Sequence, residues 1–125
     1  MDDSQRTERA RSFGDVAEAY AANRPDYPVE AVRWLVPDPS ARVLELGAGT
    51  GKLTETLVAE RHRVTATDPD RPMLDRLRKR LRTTRVIQSG SEQIPVHAGA
   101  VDVVIAAQAF HWFDHGRALP EIARV

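Results

Sequence analysis

Val43-Leu44-Glu45-Leu46-Gly47-Ala48-Gly49-Thr50-Gly51 is the stretch on which the fold turns. Ala41 to Leu46 is a short apolar run that stops at a glycine cluster, and Leu53, Leu57 and Val58 follow at helical spacing. The reading is strand, tight turn, helix. Glycines at the end of the first strand of an α/β sheet let the backbone approach a ligand closely, and the next helix turns its amino end toward negative charge. Two familiar ligand loops do not fit the spacing. A dinucleotide fingerprint, G-x-G-x-x-G, needs glycine where Lys52 stands, which weakens a nicotinamide-dependent oxidoreductase. A phosphate-binding P-loop needs glycine and a hydroxyl where Leu46 and Leu53 stand. The informative residue is Glu45, an acid inside an apolar strand, because a buried carboxylate is costly unless it is paired. A cationic ligand group, a local backbone amide or an arginine near the amino terminus would satisfy it.

Outward from this turn the strand-helix unit repeats. Arg63 to Thr67 is a β-branched run ending at Asp68, after which Asp70 is placed to cap a helix that turns Met73, Leu74, Leu77 and Leu81 inward. Arg85 to Gln88 reads as a third strand, Ser89 to Gly99 as a loop, Val101 to Ala107 as a fourth strand, and Arg117 to Val125 as one more helix. Strands alternating with helices require a parallel sheet with helices on both faces, an α/β Rossmann-like architecture. Toward the amino terminus, Phe13, Val16, Ala17 and Tyr20 share one helical face; Arg24-Pro25-Asp26-Tyr27-Pro28 breaks it, and Val29, Val32 and Leu35 mark a second short helix before Pro37. Residues 1–39 thus read as a helical cap on a single domain, 1–125. The basic residues between Arg71 and Arg85 mostly lie opposite the leucine stripe and read as a solvated helix face.

Composition narrows the function classes. Eighteen basic residues balance eighteen acidic ones, which leaves no overall electrostatic footprint for nucleic acid or an anionic membrane. With no cysteine there is no disulfide framework, thiol nucleophile or thiolate metal site, and His62, His97 and His115 share no ligand spacing. The first residues carry acids and no apolar core of a signal peptide, and the longest apolar run, Val103 to Ala107, is too short to span a bilayer. A cytoplasmic location is the default expectation.

The motifs also carry a resemblance. V-L-E-L-G-A-G-T-G, residues 43–51, looks like motif I of the class I S-adenosylmethionine-dependent methyltransferases. Asp68 ends the second strand seventeen residues after Gly51, as that family's ribose-binding acid does. Ser91-Glu92-Gln93-Ile94-Pro95 resembles the stretch after the third strand, and Val101-Asp102-Val103-Val104 the start of the fourth. Ala107-Gln108-Ala109-Phe110-His111-Trp112-Phe113-Asp114 is similar to a segment found in small-molecule members, including trans-aconitate methyltransferase-like proteins. The resemblance covers about residues 13 to 125.

If it holds, the resemblance implies a cofactor, S-adenosyl-L-methionine, and a role for each matching residue. Gly47, Ala48, Gly49 and Gly51 would make room for the methionine and ribose portions, with backbone amides around Thr50 to Lys52 near the carboxylate. Glu45 would meet the amino end. Asp68, with Pro69 beside it, would accept from the ribose hydroxyls. Met73 would lie against adenine or else pack in the core. The family's frequent adenine-binding aspartate is replaced by Gly90, leaving Ser91, Glu92 or backbone for that contact, although Glu92 can equally face solvent. Gln108 would border the cofactor, and Tyr20 and Arg24 would close over it from the cap. His111 is the one general-base candidate, set in an aromatic run that can equally wall an acceptor pocket. Methyl transfer to a small molecule, for instance a carboxylate, is the activity implied.

The seven-stranded family sheet continues beyond a fourth strand. An order 3-2-1-4 leaves the fourth strand as an apolar edge that invites pairing with a second copy of the chain. The alternative to an enzyme is a cofactor-binding or interaction module without turnover.

Overall fold

A computed structural model describes residues 27–125. The expected helix carrying Phe13, Val16, Ala17 and Tyr20, and Arg24 after it, lie outside the described residues. The first described helix, α1 (Val29–Leu35), buries Val32 and ends ahead of Pro37. Strand β1 (Arg42–Leu46) is buried at each position after Arg42, as a strand covered on both faces must be. Helix α2 (Lys52–Ala59) returns the chain to β2 (Arg63–Asp68). Helix α3 (Arg71–Arg80) starts where the sequence places its cap: the Asp70 side chain accepts the Met73 N–H at 3.2 Å. Strands β3 (Arg85–Gln88) and β4 (Val103–Ile105), a 3-10 turn (Phe110–Trp112) and helix α4 (His115–Arg124) complete the order.

The sheet is wholly parallel, in the order β3-β2-β1-β4. Side chains alternate along β1, and the two faces enter different cores. Val43 packs with Val32, Val36, Leu53 and Leu57 on the side of α1 and α2. Leu44 and Leu46 pack with Ile94 and Val125 on the side of α4. Leu74 and Leu77 of α3 close over Ala48 and Ala66. Among the described residues no helix is long and apolar enough to cross a membrane.

Three boundaries differ from the sequence reading. The fourth strand, expected over Val101 to Ala107, is confined to Val103–Ile105. Before it, the Val101 N–H is taken by the Val125 carbonyl at 3.0 Å, and the Asp102 carboxylate accepts the Arg42 N–H at 2.8 Å. After it, the backbone turns away from the sheet and reaches Gln108, which has φ 61°. Helix α4 begins at His115, not Arg117, because Asp114 takes the cap position and its N–H is held by Glu92 Oε1 at 3.0 Å. The aromatic run Phe110–Trp112 forms a 3-10 turn that no periodicity marks.

Candidate functional site

The carboxyl ends of β1 and β2 converge on the glycine turn, where an open α/β sheet places its ligand crevice. Gly47, Gly49 and Gly51 all have positive φ, 65°, 59° and 93°, so the turn is wound through conformations that cost other residues strain. Two of these glycines also serve the packing of the protein. A Cβ on Gly47 would stand 2.4 Å from the Ala109 Cβ, and one on Gly51 would stand 2.9 Å from the Leu77 Cγ. At Gly47 the space admits the chain that follows β4, and at Gly51 it admits α3.

Two carboxylates flank the turn. Glu45 is 2% exposed, and its Oε1 accepts from the Thr54 hydroxyl at 2.5 Å. The charge in the apolar strand is therefore steadied by a hydroxyl from α2. Asp68 is 7% exposed; its Oδ2 accepts the Gly49 N–H at 3.0 Å and its Oδ1 the Asp70 N–H at 2.8 Å. One acid thus fixes both the glycine turn and the entry to α3. Ala48, also buried, donates its N–H to the Thr67 carbonyl at 2.9 Å, which ties the turn to β2 a second time. Arg80 reaches back from α3 to donate to the Thr50 carbonyl at 3.1 Å and pairs with Glu55.

The other expected residues are distributed less evenly. Pro69 follows Asp68 directly, and its carbonyl accepts from Gln88 Nε2 at 3.1 Å. Met73 is buried, so its side chain belongs to the interior of the fold. Ser91 is buried as well. Glu92 neither faces solvent freely nor points to the turn as its main engagement, because it holds the start of α4 through Asp114. Gln108 is exposed at its left-handed backbone position, a conformation uncommon for a residue with a side chain. His111 is exposed and stands against Trp112, with ring centroids 4.8 Å apart. His115, unassigned from sequence, stacks on Phe110 at 4.3 Å and meets the Phe110 carbonyl through Nε2 at 2.9 Å. His115 thus secures the 3-10 turn that carries His111.

Thr54, Arg80 and Ala109 were not legible as site residues. Thr54 left one signal, a hydroxyl between the inward-facing Leu53 and Leu57. Ala109 left none, since its importance comes from a close approach to Gly47 across the sheet end.

Polar groups flank the turn on both sides. Each Asp68 oxygen accepts a backbone N–H, which holds the carboxylate in one orientation at the carboxyl end of β2. The Thr50 hydroxyl in the middle of the turn is buried with no hydrogen-bond partner among the described residues, an unmet polar group where a polar ligand end would lie.

Comparison with known proteins agrees with this geometry. The family described as "Methyltransferase domain" matches residues 44–125. An uncharacterized methyltransferase of Mycobacterium tuberculosis is 49% identical over 120 residues, covering 96% of this chain and 49% of that protein. A solved structure from Anaeromyxobacter dehalogenans, described as a candidate type II methyltransferase, superposes with a TM-score of 0.68 at 36% identity, over 82% of this chain and 44% of that one. A candidate S-adenosyl-L-methionine-dependent methyltransferase of Methanococcus maripaludis shares the fold, with a TM-score of 0.73 at 20% identity over 94% of this chain and 57% of that one. The chain spans about half the length of the curated relatives it matches.

Proposed function

Because this chain belongs to the class I S-adenosylmethionine-dependent methyltransferase family, we propose that its glycine-turn end binds S-adenosyl-L-methionine and that the protein transfers the methyl group to a small molecule, a carboxylate foremost. The observation that carries the reading is the pair of buried carboxylates, Glu45 and Asp68, each fixed by a protein donor on either side of the turn.

When bound, S-adenosylmethionine supplies a methyl carbon already activated by a sulfonium, so displacement needs alignment more than acid-base chemistry. Asp68 is the acceptor for the ribose hydroxyls, and the Gly49 N–H bond keeps its carboxylate in one orientation. Glu45 holds the charge complementary to the amino end, with Thr54 limiting its rotamer. Ala48, Gly47, Gly49 and Gly51 form the floor. Ser91 and the backbone around Gly90 are the adenine contacts. Gln108 and the aromatic turn Phe110–Trp112 wall the acceptor side and exclude water. A carboxylate acceptor is ionised at neutral pH and requires no base, so His111 serves as a wall or substrate contact. Tyr20 and Arg24, outside the described residues, complete the reading as the cover. The outer edge of β4, which pairs with no strand among the described residues, supports self-association through that edge. Sedimentation across micromolar concentrations tests it, a concentration-independent monomer being the adverse result.

Calorimetric titration with S-adenosylhomocysteine tests the binding claim directly. Affinity around micromolar, about −8 kcal/mol, is expected for the parent chain. Glu45→Gln keeps an oxygen acceptor for Thr54 while removing the charge, and it should weaken binding by about tenfold. A folded parent chain that gives no heat would overturn the cofactor assignment.

A further inference from the structure

The opposite end of the sheet holds a feature that the glycine-turn reading leaves unused. A cleft of about 570 Å³ opens where β1, β2 and β3 begin, lined by Arg42, His62, Arg63, Thr84, Arg85 and His97 among others. Its size is that of a small-molecule site. Among the described residues, no aspartate or glutamate lines it. The strand register pairs Arg42 with Arg63 and Thr65 with Arg85, and side chains in register on parallel strands leave the same face. Three guanidinium groups therefore rise from one face at one end. Arg42 is neutralised by Asp102 at 3.0 Å. Arg63 and Arg85 are exposed and have no acidic partner among the described residues. One strand spacing and two residues of rise set their Cα atoms about 8 Å apart, close enough for both side chains to converge on one anion.

A second observation comes from the interior of the same cleft. His62 is only 8% exposed, and its Nδ1 has no hydrogen-bond partner among the described residues. A buried ring nitrogen without a partner among the described residues is uncommon. Asp38 and Glu60, two acids that feel its charge, are engaged elsewhere, Asp38 by Ser40 and Glu60 by Arg33, and neither lines the cleft. The lining thus offers two guanidinium forks without an acidic partner among the described residues, the imidazole of His62 at its wall and the hydroxyls of Thr65, Thr83 and Thr84. A group with several anionic oxygens matches that donor set better than a single carboxylate does.

We propose that this cleft binds the phosphate group of a small phosphorylated molecule, at a site separate from the glycine turn. The test is a titration of the isotope-labelled full chain with inorganic pyrophosphate, followed by amide shifts. Saturable shifts are expected at residues 62–65 and 83–85, with residues 47–51 unmoved. Arg63→Gln with Arg85→Gln should weaken the affinity by about tenfold or more, since each exchange removes a charge-assisted fork. Arg71→Gln with Arg78→Gln removes the same charge from the solvent face of α3 and should leave the affinity unchanged. Shifts that never saturate, or an equal loss in both double variants, would reduce the effect to general charge and overturn the site. An oligonucleotide that binds the cleft residues and resists displacement by pyrophosphate would overturn it in favour of a polymer surface. Because the readout involves no S-adenosylhomocysteine, its outcome is independent of the cofactor assignment.

Discussion

The glycine turn and the β4–α4 side of the sheet are held together by opposite means. At the turn the polar groups are buried and bonded over short stretches of chain: Glu45 to Thr54 nine residues on, Asp68 to Gly49 nineteen residues back. On the β4–α4 side the bonds run far along the chain and lie exposed or half-buried. Arg42 meets Asp102 across 60 residues, and Arg124 meets the carbonyls of Ile94 and Val96 across 30 and 28. Burial makes each bond at the turn costly to lose, because the abandoned partner has no water to turn to. Solvation makes each bond on the other side nearly expendable. One region is specified by a compact motif and the other by the sum of many weak tertiary ties.

The largest expected effect lies where the two regions touch. Gly47→Ala forces a side chain into a left-handed position and brings its Cβ against Ala109 at 2.4 Å. Strain and overpacking together predict a loss of about 3 kcal/mol or more, read from urea unfolding. Ala109→Gly in the same chain removes the contact while leaving the strain, so about half of the loss should return. If nothing returned, the two regions would not meet through this pair.

A smaller effect isolates the turn. Thr54→Val preserves shape and deletes the hydroxyl that holds the buried Glu45 carboxylate, with an expected cost of about 1–3 kcal/mol. Thr54→Ser should restore most of the stability and of the S-adenosylhomocysteine affinity. A neutral Thr54→Val would show that Glu45 is held by other groups, and the contrast between the regions would weaken.

The same contrast explains what was legible in the sequence. Strand β1, its turn, Asp68 at the end of β2 and the Asp70 cap are signalled by residues close in the chain, through periodicity, glycine spacing and capping chemistry. The parallel sheet followed from the alternation of strands and helices, and its order 3-2-1-4 from the family resemblance. The length of β4 did not, since its apolar run continues to Ala107 while hydrogen bonds from Val125 and Arg42 decide where pairing begins. Glu92 illustrates the same point at the site. Its sequence context offered solvent or cofactor, whereas its carboxylate is occupied by an N–H twenty-two residues away. Arg63 and Arg85 each look like an ordinary strand-end arginine, and only the register places them on one face.

Acid provides the smallest expected effect and the most direct probe of the solvated side. Arg42, through its side chain and then its backbone N–H, lowers the Asp102 carboxyl from 3.8 to about 2. Arg124, followed by the Ile94 N–H, lowers Glu121 from 4.5 to about 2. Both values are depressed in the folded chain, so the unfolded chain binds protons first as pH falls. The contribution of these pairs is fully present above the ordinary carboxylate values and disappears as pH drops toward about 2. Asp102→Asn and Glu121→Gln should therefore lower stability slightly at neutral pH. Each should also flatten its decline through the acid range, with variant and parent curves meeting at the acid end. Because both groups are at least partly open to solvent, the separation at neutral pH should be smaller than that of Thr54→Val. A separation as large as that of Thr54→Val would mean that water does not screen these pairs, and the β4–α4 side would then owe its order to the same kind of bond as the turn.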